Sequence, residues 1–413
     1  MVKLNETVKP MESTVLDAAL DAVPALLEHI PNTQIIGVHR EQHLASDYRL
    51  DARIDLVHDG ICYALLMEIK SNGAPRFARS AVYQLESCIA HLHRSENQDV
   101  TRQFIPMLVS PYLSPDARSI CLDHNVAYLD LYGNAHLAFG NVYIERSVPD
   151  RPKPEVRAQR SLFTPKAGAI LRVLLRDPAR AWRVTHLAKA TNASLGHVSN
   201  VRKALLDREW IEIRDEGLVL VRPDALLKSW RENYRQPTDH HISGYTILHG
   251  DQLRTRLSGG LSPGPQPPRA ICASNSAAEW FAPYVRGGTH RFYADEPGAR
   301  ILKETLQLTH TAQGANVVLH IPNDETLFED TVEPAPGIFC ANPVVTYLDL
   351  QSFRFAKGRL PLYFNLNCLR ISFLTSPGLL STTSFQQSCN SSACASCHTN
   401  RPPQWPMSAP RPN

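Results

Sequence analysis

The sequence predicts a multidomain α/β protein. A mixed sheet with covering helices comes first, a mostly helical basic module sits in the centre, and a smaller α/β domain follows. Three observations predict this. The chain has 413 residues, more than one ordinary domain holds, and at 43% hydrophobic and 20% charged it can bury real cores. Strand-length apolar runs alternate with helix-period segments up to residue 146, whereas 161–208 is helical in period. Charge divides the same way: 12 Lys/Arg against 18 Asp/Glu over 1–146, 14 against 8 over 161–235, and 8 against 12 over 236–354. One basic segment between acidic ones is the footprint of a single nucleic-acid module.

Composition also excludes classes. No apolar run reaches the roughly 18 residues of a membrane span, and residues 1–12 lack a signal-peptide stretch, so a soluble cytoplasmic protein with no membrane partner is expected. Nine Cys, an odd count, fit reduced thiols better than a disulfide scaffold.

In chain order, residues 15–29 read as an amphipathic helix with Leu16, Leu20, Val23, Leu26 and Leu27 on one stripe. Strands follow at 53–58 and 61–70, separated by the turn dipeptide Asp59-Gly60. Residues 61–67 are apolar throughout, as in a strand covered on both faces. A helix at 78–93 carries Val82, Leu85, Ile89 and Leu92; strands at 104–109, 126–131 and 142–146 and a short helix at 115–121 complete the first domain, 1–146. The Pro-rich, charged stretch 147–160 reads as a linker. Further breaks are expected at 236–244, which would leave His240 and His241 solvated, and at 259–269. The third domain, 245–350, has its best strands at 317–321 and 344–348.

The strongest chemical signal in the first domain is Asp55, then Glu68-Ile69-Lys70, then Gln84 on the next helix. Phosphodiester hydrolysis wants carboxylates to hold Mg²⁺ and a cation near the developing charge. Glu68 and Lys70 are two apart on a strand and share a face. A two-residue turn at Asp59-Gly60 sets Asp55 against Ala64, on the same face as Glu68 but about 13 Å away along the strand. One metal cannot span that, so a longer loop that brings Asp55 opposite Glu68 is expected. The alternative is an ordinary charged pair at a strand edge.

Over residues 15–146 this pattern resembles the PD-(D/E)XK restriction-endonuclease-like superfamily. Asp55 stands as the first acid, Glu68-Ile69-Lys70 as the E-x-K, and Gln84 as the later polar position. Ile54 stands where the motif has Pro, and Glu41 is available as an upstream acid. The resemblance implies Asp55, Glu68, Lys70 and Gln84 as catalytic residues, with Asp55 and Glu68 as ligands of Mg²⁺; a retained fold without activity is the intermediate case. The acidic charge of the domain argues against strong DNA binding by it alone.

In the basic segment, 161–235, helices are read at 162–176 and 185–190, and a third from an N-cap at Ser194 to about Arg208. Val198, Val201 and Leu205 then face inward, Ser199, Asn200 and Lys203 outward, and His197 and Arg202 flank them. Residues 210–221 read as a hairpin. Three helices and a hairpin are similar to the winged helix-turn-helix, whose third helix reads duplex DNA in the major groove. That makes His197, Ser199, Asn200, Arg202 and Lys203 the candidate DNA contacts. A winged domain used for protein contacts is the alternative.

The winged segment, the following domain and the 346–350 ending TYLDL together resemble the AbiEi antitoxins of type IV toxin–antitoxin systems, over roughly 161–350; the stretch 110–139 also looks like longer members. The resemblance implies a bacterial regulator that binds its own operon promoter and, through its C-terminal domain, serves the antitoxin role toward a cognate toxin. The chain departs from the family after about Gln351. Residues 355–413 hold no Asp or Glu, nine Ser and four of the nine Cys, and are expected to form an unpacked tail, of the kind that translation out of the ancestral frame would leave. Its Cys394-Ala-Ser-Cys397-His398 matches a haem-attachment pattern without the export signal or second ligand such a site needs, and with Cys389 it lacks a second ligand pair for zinc. The leading expectation is the promoter-binding regulator; the rivals are an Mg²⁺-dependent endonuclease targeted by the winged helix, and a protein-interaction scaffold.

Overall fold

The computed structural model describes residues 9–45, 48–95, 102–149, 161–281, 288–311 and 313–357. It is a mixed α/β protein that forms two compact units, 1–237 and 238–413. Among the described residues no helix is long and apolar enough to cross a membrane. Of the expected unpacked tail, 355–413, residues 355–357 instead end a helix, Pro343–Lys357, and the rest with its Cys/His cluster lies outside the described residues, as do the side chains of Glu41 and of 353–357.

The first unit is built on a seven-stranded sheet with its strands in sequence order. These are β1 (Thr33–Ala45), β2 (Tyr48–His58), β3 (Ile61–Ile69), β4 (Gln103–Ser110), β5 (Ala127–Asp130), β6 (Ala135–Phe139) and β7 (Val142–Arg146). β3, β4 and β5 are parallel to one another, and the remaining pairs are antiparallel. Each parallel step needs a crossover. Helix α2 (Pro75–Ser95) supplies the first and α3 (Pro115–Asp123) the second, while α1 (Lys9–Leu27) covers the other face.

Strand periodicity sorts the two cores. Leu65, Met67 and Ile69 pack with Val23 and Leu27 of α1; Ala64 and Leu66 pack with Ala81, Val82 and Leu85 of α2. Both faces of β3 are therefore buried, which explains its unbroken apolar run. Each such Leu contributes about 1.5–3 kcal/mol on burial. Glu68 interrupts this run on the α2 face and is itself buried.

The β2–β3 connection corrects one expectation. It is the two-residue turn Asp59-Gly60, with both residues at positive φ (46° and 80°), and the register runs His58 to Ile61, Asp55 to Ala64 and Ala52 to Met67. The longer loop does not form. An Asp-Gly pair suits the left-handed conformation that a tight hairpin turn demands, so local chemistry decides the register.

The second half of this unit has α4 (Pro165–Arg176), α5 (Val184–Ala190), α6 (Leu195–Asp207), a hairpin of β8 (Ile211–Arg214) and β9 (Gly217–Leu220), and α7 (Pro223–Asn233). Trp182 adds a backbone pair to the hairpin, exchanging bonds with Leu218 at 2.8 and 2.9 Å. Gly217 sits at φ 145°, and a Cβ there would lie 2.5 Å from the Trp182 carbonyl oxygen, so this crossing needs glycine.

The second unit holds a six-stranded sheet in the order β10-β13-β12-β11-β15-β14. Its strands are β10 (Thr238–Gly244), β11 (Ala270–Cys272), β12 (His290–Ala294), β13 (Val317–Pro322), β14 (Val332–Ala335) and β15 (Ile338–Cys340). The helices are α8 (Gly250–Gly260), α9 (Ser274–Phe281), α10 (Glu296–Thr305) and α11 (Pro343–Lys357).

Two expectations fail here. Residues 344–348 form part of α11, because Pro343 suits the first turn of a helix and the buried Val344, Val345 and Leu348 recur at helical spacing. The expected linker at 236–244 contains edge strand β10, paired antiparallel to β13. His240 and His241 are nevertheless both exposed, as expected: His240 meets Glu296 at 3.0 Å, and His241 lies opposite His320 with ring centroids 6.1 Å apart.

His320 carries a pH-dependent contribution to this unit. It is 6% exposed, and burial lowers its pKa to about 4, with the charges of Arg291 and His241 acting in the same direction. Tyr293 lies beside it and donates to Asp349 at 2.9 and 3.0 Å, and Asp349 also acts on Arg291. An unfolded His titrates near 6.5, so between about 6.5 and 4 the unfolded chain binds more protons. Stability is therefore expected to fall as pH drops through that window, by up to about 3 kcal/mol. Urea titrations between pH 4 and 7 would check it, with His320→Gln flattening the slope.

Candidate functional site

Glu68 sits near the carboxyl end of β3, a central parallel strand. In open α/β sheets ligands bind outside the carboxyl ends of such strands. β2 brings Asp51 there, one step beyond the paired Ala52 and Met67. The Asp51 Oδ2 accepts a hydrogen bond from the Ile69 amide at 2.7 Å. Lys70 Nζ donates to Glu68 Oε1 at 2.5 Å, and Gln84 Nε2, from α2, donates to Glu68 Oε2 at 2.8 Å. The same Gln84 nitrogen reaches the Arg49 carbonyl at 3.1 Å, tying the helix to β2. Asp51, Glu68, Lys70 and Gln84 thus converge.

Asp55 does not join them. Its Oδ1 accepts from Arg53 Nε and Nη2, both at 2.9 Å, and its Oδ2 lies 3.3 Å from His39 Nε2. It is four residues from Asp51, about 13 Å along the strand. The expectation that Asp55 shares a metal with Glu68 is therefore corrected. The turn fixes the register, and Asp51 occupies the position opposite Glu68.

Burial is the largest influence on Glu68. It raises the carboxyl from the ordinary carboxylate range to about 7; the Asp51 charge adds to the rise, while Lys70 and Arg49 oppose it. Placing an acid 3% exposed costs free energy, which the Lys70 and Gln84 hydrogen bonds offset in part. Perturbed carboxyls of this kind cluster at functional sites.

The donor set suits one class of cation. Among the described residues no three His, Cys, Asp or Glu side chains converge on one point. Two hard carboxylates are what Mg²⁺ takes when water and substrate phosphate complete its shell. Asp51 and Glu68 are the residues that would hold it.

The loop after Lys70 is held tightly. Gly73 bridges to Leu113, and a Cβ on Gly73 would lie 2.0 Å from the Tyr112 carbonyl oxygen. That close approach delivers the chain directly into α2. A cavity of about 860 Å³ opens elsewhere, at the His58 end of β2, lined by His29, Asp59, Asn141 and Tyr143. His58 there already meets Thr33 at 2.9 Å and Asn141 at 2.5 Å, so the network is structural.

The other predicted residues lie on α6. Ser194 caps it, accepting from the His197 amide at 3.2 Å. Val198, Val201 and Leu205 are buried, Ser199, Asn200 and Lys203 are exposed, and Arg202 is half-buried. His197 is half-buried, and its Nε2 is enclosed without a hydrogen-bond partner among the described residues, so this ring nitrogen is not presented outward. The remaining four are placed on the outer part of the helix.

No family model and no curated protein matches the sequence. Among solved structures, an XisH family protein from Nostoc punctiforme is similar over 30% of this chain and 92% of its own, at 16% identity and a TM-score of 0.19. A likeness that slight carries no argument about the residues above.

Proposed function

We propose that this chain binds duplex DNA through a winged helix-turn-helix built on α4–α6 and the β8–β9 hairpin, and cleaves it at an endonuclease-type acidic site. The observation that carries the enzymatic part is the convergence of Asp51, Glu68, Lys70 and Gln84 at a strand end. A bound Mg²⁺ supplies phosphate polarisation and an activated water at such a site. The chain's own residues do the rest. Gln84 and Lys70 hold the Glu68 carboxylate in one orientation, and Lys70 keeps a positive charge where the phosphate would gain negative charge. The Ile69 amide orients Asp51.

Incubation of the protein with plasmid DNA, with and without Mg²⁺, tests this directly. Cleavage that needs Mg²⁺ and disappears in Glu68→Ala supports it; no cleavage by the wild-type protein removes it.

A specific observation favours a second reading, the AbiEi-type regulator. Both Glu68 oxygens already accept hydrogen bonds within the chain, as in a retained but inactive site. The protein would then bind promoter DNA without cutting it, and its C-terminal unit would act toward a cognate toxin. Both readings use the exposed side of α6. Asn200→Ala and Lys203→Ala are therefore expected to weaken DNA binding, the Asn by about 1–3 kcal/mol at the base it reads and the Lys almost uniformly across sequences. Gel shifts with several duplexes would separate the two effects.

A further inference from the structure

The acidic first half of this unit is a poor DNA surface on average, yet one cationic strip on it adjoins α6. Helix α2 starts without an acidic residue in its first turn and carries Arg76 and Arg79, one turn apart and so on one face. Arg79 makes a two-pronged bond to Glu209, just past the end of α6: Nε to Oε1 at 2.9 Å and Nη2 to Oε2 at 3.0 Å. That bond places α2 against the end of α6. One turn earlier on α2, Arg76 is exposed, and both Arg76 and Lys203 act on the buried Asp207. Stepping back along α2 therefore follows α6 back toward its outward residues, with Lys203 four residues before Asp207. Beyond Arg76 in the same direction, only the tied loop 71–74 separates α2 from Lys70.

We infer that the DNA surface of α6 continues across the start of α2, with Arg76 holding a backbone phosphate and leading the duplex toward the Asp51–Glu68 site. The inference rests on the DNA-binding reading above. Arg79 is not the contact, since Glu209 occupies its guanidinium; it is a positioning residue that sets α2 against α6. Arg76 has a different task. Arg76, Lys203 and Arg208 all act on the one buried carboxylate of Asp207, and Glu209 is taken by Arg79, so the positive charges at this junction outnumber the negative ones.

The test is the salt dependence of binding, measured by fluorescence anisotropy with a labelled 30-base-pair duplex of mixed sequence and the full chain. Each phosphate contact contributes about 0.9 to the slope of log K against log salt. Arg76→Ala should lower the slope by that amount. The affinity it loses between 50 and 200 mM salt should then be about 3.5-fold smaller than the wild-type loss. Arg76→Lys should keep the wild-type slope, which a mere folding defect would not reproduce. Lys203→Ala serves as the internal standard. A lowered slope in Lys203→Ala with a wild-type slope in Arg76→Ala overturns the inference and leaves the DNA reading standing. A wild-type protein that does not bind the duplex at all overturns both.

Discussion

Asp51→Asn is expected to reduce Mg²⁺-dependent cleavage by about 100-fold or more, because partners one step removed from a metal already cost about 10–100-fold. Asp55→Asn is expected to leave cleavage unchanged. The two aspartates are on one strand and one face, so composition and charge do not distinguish them. Geometry does: Asp51 stands beside Glu68 and holds the Ile69 amide, while Asp55 is bound to Arg53 and His39. Initial rates on supercoiled plasmid for the two variants give the comparison. Loss of activity in Asp55→Asn with retention in Asp51→Asn would sink the assignment.

Glu68→Gln should abolish cleavage and at the same time stabilise the protein at pH 8. A carboxyl raised from 4.5 to about 7 by burial is protonated more readily folded than unfolded. Its favourable contribution is complete below about 4.5 and is lost as pH rises through 7, a change of roughly 3 kcal/mol. Gln removes the buried charge but leaves amide hydrogens without an acceptor, which costs about 1 kcal/mol. The expected net gain is about 2 kcal/mol at pH 8, vanishing near pH 5. Thermal melts of both proteins across that range read the difference. A variant less stable at pH 8 than at pH 5, relative to wild type, would mean that Glu68 is a structural residue held by Lys70 and Gln84.

Much of the first unit was legible in the sequence for local reasons. The apolar run of β3, the stripe on α2 and the Ser194 cap each depend on residues close together in the chain. So did Glu68, Lys70 and Gln84 as a group, since strand parity and one crossover bring them together. Asp55 is the exception. The Asp59-Gly60 turn already specified the register, and carrying that register four residues further along β2 lands on Asp51. The turn chemistry overrides the motif spacing. The omission of strand β6 and the strand reading of 344–348 within α11 share one cause: short apolar segments have no period long enough to separate the two structures.

Local patterning in the chain therefore determined the element types, the partition of charge, the inward and outward sides of α6 and the acid–lysine pair on β3. Tertiary structure alone decided which aspartate meets Glu68, that His241 lies against His320, and that Arg79 docks on Glu209 to set α2 beside α6. The physical reason is sequence distance. Helical and strand periods act over a few residues, whereas these contacts join groups 17, 79 and 130 positions apart, and only the packed sheet and helices bring such groups together.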